Sequence, residues 1–210
     1  MLTKDTRDKI LTLINKEVVP AVGCTEPMAV ALCTARATET LGRKPEKITA
    51  LLSANILKNA MGVGIPGTGM IGLPIAIALG AIVGKSEYQL EVIKDLTPET
   101  LEEGKTLTKE NRISIQLKQN ITEKLYIEIV CEAQNHSATA VIVGGHTDFV
   151  YIESDGNVLL DKRSETSTAI EEGGIQLNMR LVYDFATTAP VDELRFILKT
   201  RDYNIKAAEE

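Results

Sequence analysis

A cysteine placed directly before a helix start is the first feature of the chain that could do chemistry. Cys24 follows the helix-breaking segment 20–23 and precedes Thr25-Glu26-Pro27, where proline is tolerated in a first helical turn. The positive end of the helix dipole suits Glu26 and is expected to lower the pKa of Cys24, which favours the thiolate. A thiolate acts as a nucleophile or a metal ligand. The alternative is a small side chain packed under the helix start, since unpaired cysteines are often buried.

A glycine-rich segment from Asn55 to Gly72 carries the second group of candidate residues. Five glycines in residues 62–72 allow the backbone to approach a ligand closely and to direct several N–H groups at an anion. A helix start follows the segment and is itself suited to anions. The alternative is a packing turn between a strand and a buried helix. Lys58 is the candidate base, and the candidate substrate-binding residues are Asn55, Asn59, Gly64, Gly67, Thr68 and Gly69.

Two overlapping G-x-G-x-x-G patterns in the same segment leave dinucleotide binding open as an alternative. They begin at Gly62 and Gly67, a predicted strand precedes them, and a predicted helix follows. Asp95 lies about where an acid that binds a ribose is expected. No series of parallel βα units follows, so the patterns alone are a weak sign of dinucleotide binding.

The remaining cysteines and histidines offer few further catalytic groups. Cys33 is nine positions after Cys24, or about 13 Å away along a helix, which is too far to share one small cluster. Cys131 follows the buried side of an alternating segment and is predicted to lie in the core. His146 stands in a Gly-Gly-His-Thr-Asp segment that is more typical of a turn than of a catalytic site.

The elements that must position these residues follow from hydrophobic periodicity. Helical patterns cover a first segment up to Pro20, residues 25–41, 73–83 and 97–109, and a hydrophobic run over 47–57 indicates a strand. From residue 112 the period changes to two, which is typical of an antiparallel sheet with one wet face. Helical periodicity returns after residue 175. The sequence predicts an α+β fold: helices around one strand, an antiparallel meander of about four to five strands, then C-terminal helices.

Composition and charge limit the partners and the compartment. The 210 residues carry a net charge of −6, which argues against nucleic acid or an anionic membrane as a partner. Three widely spaced cysteines without a CxxC pair predict a reducing cytoplasm. Glycines and prolines break the first half of the uncharged stretch between Lys58 and Lys85, and its apolar part is too short to span a bilayer. No membrane partner is therefore expected.

Two segments together resemble the L-cysteine desulfidase family, which is related to the alpha chain of the iron–sulfur L-serine dehydratases. They are Gly23-Cys24-Thr25-Glu26-Pro27 with the alanine-rich helix after it, and residues 55–81. The resemblance implies a lyase without pyridoxal phosphate that removes the β-substituent of L-cysteine, giving sulfide, ammonia and pyruvate, or of L-serine. It also implies a [4Fe–4S] cluster with one iron open as a Lewis acid, for which Cys24 is a ligand or a catalytic cysteine.

The resemblance further implies that the chain corresponds to the N-terminal half of such proteins. Residues 1–210 are expected to form one α+β domain, either as part of a protein about twice as long or as one subunit of a two-part enzyme. The remaining cluster ligands are then expected outside this chain, so the chain alone is not expected to be a complete enzyme. Association of copies is also expected. A non-catalytic module of the same family is a further alternative.

Overall fold

The computed structural model describes residues 2–21, 23–166 and 175–209. The chain divides into two compact units, one formed by Ala21–Thr168 and the other by Met1–Pro20 together with Ala169–Glu210. One domain over residues 1–210 stays a prediction. No helix in the described ranges is both long and apolar enough to cross a membrane.

Helices are interspersed with strands before the antiparallel strands at the end of the sheet. In chain order they are α1 (Lys4–Glu17), α2 (Thr25–Leu41), β1 (Lys47–Leu52), α3 (Ala54–Ala60), β2 (Gly64–Ile65), β3 (Met70–Ile71), α4 (Leu73–Ile82), α5 (Pro98–Lys109), β4 (Ile113–Leu117), β5 (Tyr126–Ala133), β6 (His136–Val143), β7 (Phe149–Ser154), β8 (Asn157–Asp161), α6 (Arg163–Thr166), α7 (Met179–Thr188) and α8 (Leu198–Glu209). Short 3-10 helices cover Ser86–Glu91 and Val191–Ile197.

A six-stranded sheet in the order β4-β1-β5-β6-β7-β8 forms the frame of the larger unit. Its pairs are antiparallel except β1 with β4, which run parallel. The predicted α+β class, with helices before and after a mostly antiparallel sheet, is confirmed. The first strand lies inside the sheet, where the backbone of β1 pairs with β4 on one side and with β5 on the other. The predicted strand over 47–57 is too long, since β1 ends at Leu52 and α3 begins at Ala54.

The core of the larger unit lies between this sheet and the helices α2 and α4. The residues of β5 alternate between buried and half-buried, as the period of two predicts. Helix α2 crosses β5 and β6, with the Cys33 thiol 3.3 Å from the Ala140 carbonyl oxygen. Helix α4 packs closely on α2, since a Cβ at Gly80 would lie 2.5 Å from the Ala31 carbonyl oxygen. Packing on the sheet thereby determines the orientation of α2, whose N-cap residue is Cys24.

The glycine-rich segment forms a two-stranded hairpin, β2 with β3, between α3 and α4. The hydroxyl of Thr68 is buried within the turn, where it donates to the Ile65 carbonyl at 2.6 Å and accepts from the Met70 amide at 2.9 Å. The Gly72 amide donates to the Val63 carbonyl at 2.8 Å. Several amides of the segment are therefore used to hold the hairpin itself.

The smaller unit consists of α1, α7, α8 and the second 3-10 helix. Among its described residues, Ile10 and Phe185 are the buried apolar side chains. Arg7 on α1 pairs with Glu193 at 3.2 Å. The side chain of Asn178 caps α7 by accepting from the Leu181 amide at 2.9 Å. This unit is held by few buried contacts, whereas the larger unit has an extensive core.

Candidate functional site

Cys24 is the N-cap residue of α2, in an extended backbone conformation. Gly23 before it has a φ of 77°, and a Cβ there would lie 2.6 Å from Cγ of Pro66. Only glycine fits both the left-handed backbone and this close approach. The tip of the β2–β3 hairpin is therefore packed against the residue that leads into Cys24.

The carboxylate of Glu26 lies at the centre of the site. The thiol of Cys24 donates to its Oε2 at 2.9 Å, and the hydroxyl of Thr25 donates to the same atom at 3.3 Å. Its Oε1 accepts from the side-chain amide of Asn59 at 3.2 Å, which links α3 to the first turn of α2. Cys24, Glu26 and Asn59 are all half-buried, so the pair of acidic groups is reachable from solvent.

The pKa of Cys24 is raised above its ordinary value, contrary to the prediction from the helix dipole. Burial raises the pKa most, and the hydrogen bond to Glu26 raises it further. The backbone amides of Glu26 and Thr25 lower the pKa, as expected at a helix N-terminus. The predicted effect is therefore present but is outweighed, because burial and an adjacent carboxylate both disfavour the thiolate.

The pKa of Glu26 is moved in the opposite direction. It is lowered chiefly by the hydrogen bond from the Cys24 thiol, with smaller contributions from its own backbone amide and from Asn59. The two groups thus share one proton that stays on sulfur at neutral pH. A protonated acid and an ionised carboxylate lie next to each other, at hydrogen-bond distance.

The other predicted site residues lie on the segments around this pair. Asn55 and Lys58 are exposed on α3, and Lys58 is the residue before Asn59. Gly64, Gly67 and Gly69 are exposed on the hairpin, whereas Thr68 is buried. The structure brings Asn59 to Glu26, and the contacts of the described residues do not bring Lys58 to Cys24 or to Glu26. The substrate-binding roles of Asn55 and of the hairpin residues stay predictions.

His146 lies in a connection between strands, and Asp95 forms an ion pair. His146 is half-buried in the connection between β6 and β7. Asp95, considered above as a ribose ligand, pairs with Lys85 at 2.6 Å and accepts from Tyr88 at 3.2 Å. The pattern that begins at Gly62 follows helix α3 and runs into β2, and the pattern that begins at Gly67 lies in the hairpin turn and β3. The turn between a strand and a helix that dinucleotide binding requires is thus not formed there.

The described cysteines do not fit a complete iron–sulfur centre. Cys33 and Cys131 are fully buried in the core, as predicted for Cys131, and burial raises the pKa of both thiols. In the ranges that the structure covers, no group of three or more His, Cys, Asp or Glu side chains is arranged to hold a metal ion. Since a [4Fe–4S] cluster takes cysteine thiolates as its ligands, these residues supply at most Cys24.

Glu26 is a functional candidate that the sequence analysis missed. From the sequence, this residue was considered only as a favourable charge at the start of a helix. A glutamate two positions after an N-cap cysteine can turn back toward it, because both side chains lie at the first helical turn. The spacing of two positions between Cys24 and Glu26 could therefore have indicated their contact. The link to Asn59 had no signal in the sequence, since α3 reaches α2 only through the fold.

The chain is similar to several proteins of one name. It is 64% identical over 209 residues to a UPF0597 protein of Bacteroides fragilis and 65% identical over 210 residues to one of Phocaeicola vulgatus. A UPF0597 protein of Aeromonas hydrophila is 39% identical over 203 residues. These matches cover 100%, 100% and 95% of the chain and 49%, 48% and 46% of the relatives. The chain spans about half the length of the curated relatives it matches.

These comparisons correct the family predicted from the sequence. The relatives carry the UPF0597 name and not that of an L-cysteine desulfidase, so the predicted resemblance is wrong as a family assignment. Two short glycine- and cysteine-containing segments were too little sequence to decide it. No family model matches the chain, and no solved structure matches it.

Proposed function

We propose that Cys24 and Glu26 are the acid and the base of a lyase that eliminates the β-substituent of a small amino acid such as L-cysteine or L-serine. The observation that carries this proposal is the 2.9 Å hydrogen bond between the Cys24 thiol and the Glu26 carboxylate. Two neighbouring groups whose environments move their pKa values apart are typical of an acid and base pair. A solvent-reachable pair of this kind has no evident packing role.

The proton transfers of such an elimination balance within the pair. Glu26 accepts the α-proton of the substrate, and the electron pair of that C–H bond forms the Cα=Cβ double bond. The bond from Cβ to the substituent breaks, and the departing sulfide or hydroxide takes the proton of Cys24. Glu26 is then a carboxylic acid beside a thiolate. The proton returns along their hydrogen bond, which restores the starting state.

The surrounding residues support this use of the pair. Asn59 holds Glu26 from the side of α3, so the carboxylate is oriented without losing its charge. The first-turn amides of α2 carry partial positive charge and suit the substrate carboxylate. Pro66 of the hairpin lies against Gly23, the residue before Cys24. These three supporting groups come from α3, from the first turn of α2 and from the hairpin.

Lys58 as the base stays a prediction, which the geometry supports less well than Glu26. Lys58 is exposed, whereas a base must reach the substrate within hydrogen-bond distance while oriented by its surroundings. Dinucleotide binding is likewise less well supported, because the glycine-rich segment forms a hairpin after a helix.

A [4Fe–4S] cluster is proposed only for a protein longer than this chain. Cys24 would be one ligand there, and the other ligands would come from polypeptide outside residues 1–210, or from a partner subunit. That ligand role is the alternative to the acid role, because a thiolate bound to iron has no proton to donate; the proton transfers described above apply to a Cys24 that is not a ligand.

The experiment separates the two steps in a protein of the relatives' full length that contains these residues. Exchange of the substrate α-proton with deuterated solvent reports the base, and release of sulfide or pyruvate reports the whole elimination. Cys24→Ala should retain exchange and lose release by at least about 100-fold, whereas Glu26→Gln should lose both. Glu87→Gln, an exposed control of equal charge change, should change neither.

Two results would overturn the assignment. Exchange that is lost in Lys58→Met but retained in Glu26→Gln would assign the base to Lys58. Release that is unchanged in Cys24→Ala and Glu26→Gln would remove the pair from catalysis and favour a non-catalytic module.

A further inference from the structure

Helix α7 in the smaller unit carries apolar side chains on two faces. Leu181 is half-buried and Phe185 is buried on one face. The other face bears a stripe at the spacing i, i+3, i+4 and i+7, where side chains of a helix lie above one another. We call this set the α7 stripe: Met179, Val182, Tyr183 and Ala186.

The exposure of the α7 stripe is unusual for an apolar surface. Met179 is 83% exposed, Tyr183 is 65% exposed and Val182 is 47% exposed. Single exposed apolar residues are common, but several in one row mark an interaction surface. The smaller unit buries few apolar side chains of its own. Covering the α7 stripe would therefore add substantially to the apolar surface area that stabilises this unit.

The charges beside the stripe argue for a protein partner and against a lipid surface. Arg180 and Asp184 lie between the two apolar faces and pair with each other at 2.9 Å. The rest of the polar side consists of Thr187 and Thr188. Helices that bind anionic membranes carry an excess of lysine and arginine on the polar face, and α7 has no such excess.

We infer that the α7 stripe is the docking surface for the part of the polypeptide that the relatives possess and this chain does not span. The chain is 64% identical to the Bacteroides fragilis relative over 209 residues, which are 49% of that relative. An equal length of polypeptide is therefore available to cover the stripe. The inference rests on exposure and coverage, and it is independent of the chemistry at Cys24.

The test measures binding between this chain and the part of the Bacteroides fragilis relative that it does not match, produced as a separate polypeptide. Sedimentation should detect a 1:1 complex. Val182→Glu should raise its Kd by at least tenfold, because a charge would enter an apolar contact. Val158→Glu is the matched control, since Val158 is 49% exposed on β8 in the other unit, and it should leave the Kd unchanged. Circular dichroism confirms that both variants remain folded.

Three results would overturn the inference. A complex that tolerates Val182→Glu would place the docking surface elsewhere. Self-association of the chain alone that Val182→Glu abolishes would assign the stripe to a second copy. If no complex forms, hydrogen exchange of the intact relative decides: slow exchange in the segment aligned with α7 supports docking, and exchange as fast as in this chain overturns it.

Discussion

At the scale of single residues, Cys24 and Glu26 form the hydrogen-bonded pair on which the proposed chemistry rests. Burial raises the pKa of the Cys24 thiol most, the hydrogen bond to Glu26 raises it further, and the same hydrogen bond lowers the pKa of the Glu26 carboxylate. At neutral pH the pair is therefore a thiol beside a carboxylate. The helix end contributes in the predicted direction but does not decide the protonation state.

The lowered pKa of Glu26 predicts a pH-dependent contribution to folding. A carboxylate whose pKa is lower in the folded state stabilises the fold above its unfolded pKa of about 4.3 and loses that effect as the pH falls through the folded pKa. Urea unfolding at pH 7 and below pH 4 should show this. The stability difference between wild type and Glu26→Gln should shrink toward the acidic end. A difference that does not vary with pH would contradict the linkage.

At the scale of elements, the hairpin is positioned by its contact with Gly23. Gly23→Ala should destabilise the fold by about 2–3 kcal/mol, since it adds left-handed strain and a clash with Pro66. Gly42→Ala is the matched control: Gly42 has a φ of 70° and open space around it, so it carries the strain alone, about 1–2 kcal/mol. Thermal or urea unfolding measures both. Equal losses would mean that the hairpin contact contributes nothing.

The packing of α4 on α2 gives a second prediction at this scale. An alanine normally stabilises a helix relative to glycine by up to about 1 kcal/mol. Gly80→Ala should instead cost about 1–3 kcal/mol, because its Cβ would meet the backbone of Ala31. Gly104→Ala on α5 meets the end of the Leu79 side chain, which can move, and should cost less. Unfolding curves that rank the two in reverse would contradict the helix contact.

Local sequence patterns predicted some of the helices and strands but not others. The helix over 25–41 and the alternating strands were predictable because each needs only its own periodicity, and α2 and β5 match it. The hairpin in residues 62–72 was not, because its strands have two residues each and show no period. The position of β1 inside the sheet depends on pairing with β4, whose residues lie 65 positions further along the chain, and local patterns do not encode such a pairing. The hydrogen bond from Asn59 to Glu26 could not be predicted for the same reason, because it joins two helices that are distant in the sequence.

At the scale of the whole molecule, the chain presents one thiol where a cluster would need several. Anaerobic incubation of this chain with iron and sulfide should therefore yield no [4Fe–4S] absorbance, since Cys33 and Cys131 are buried in the core. A protein of the relatives' full length should gain that absorbance. Cluster formation by this chain alone, or none in the longer protein, would contradict the proposed origin of the ligands.

The most direct test of the acid and base pair is the pH dependence of alkylation of the native protein. Among its three cysteines only Cys24 is reachable from solvent, so the rate of reaction with iodoacetamide reports that thiolate alone. The midpoint should lie above about 8.5, the ordinary pKa of cysteine. Glu26→Gln should lower the midpoint, because the carboxylate raises the pKa of the thiol, and Glu87→Gln should leave it unchanged. The same midpoint in wild type and Glu26→Gln would show that the two groups are not coupled and would contradict the pair.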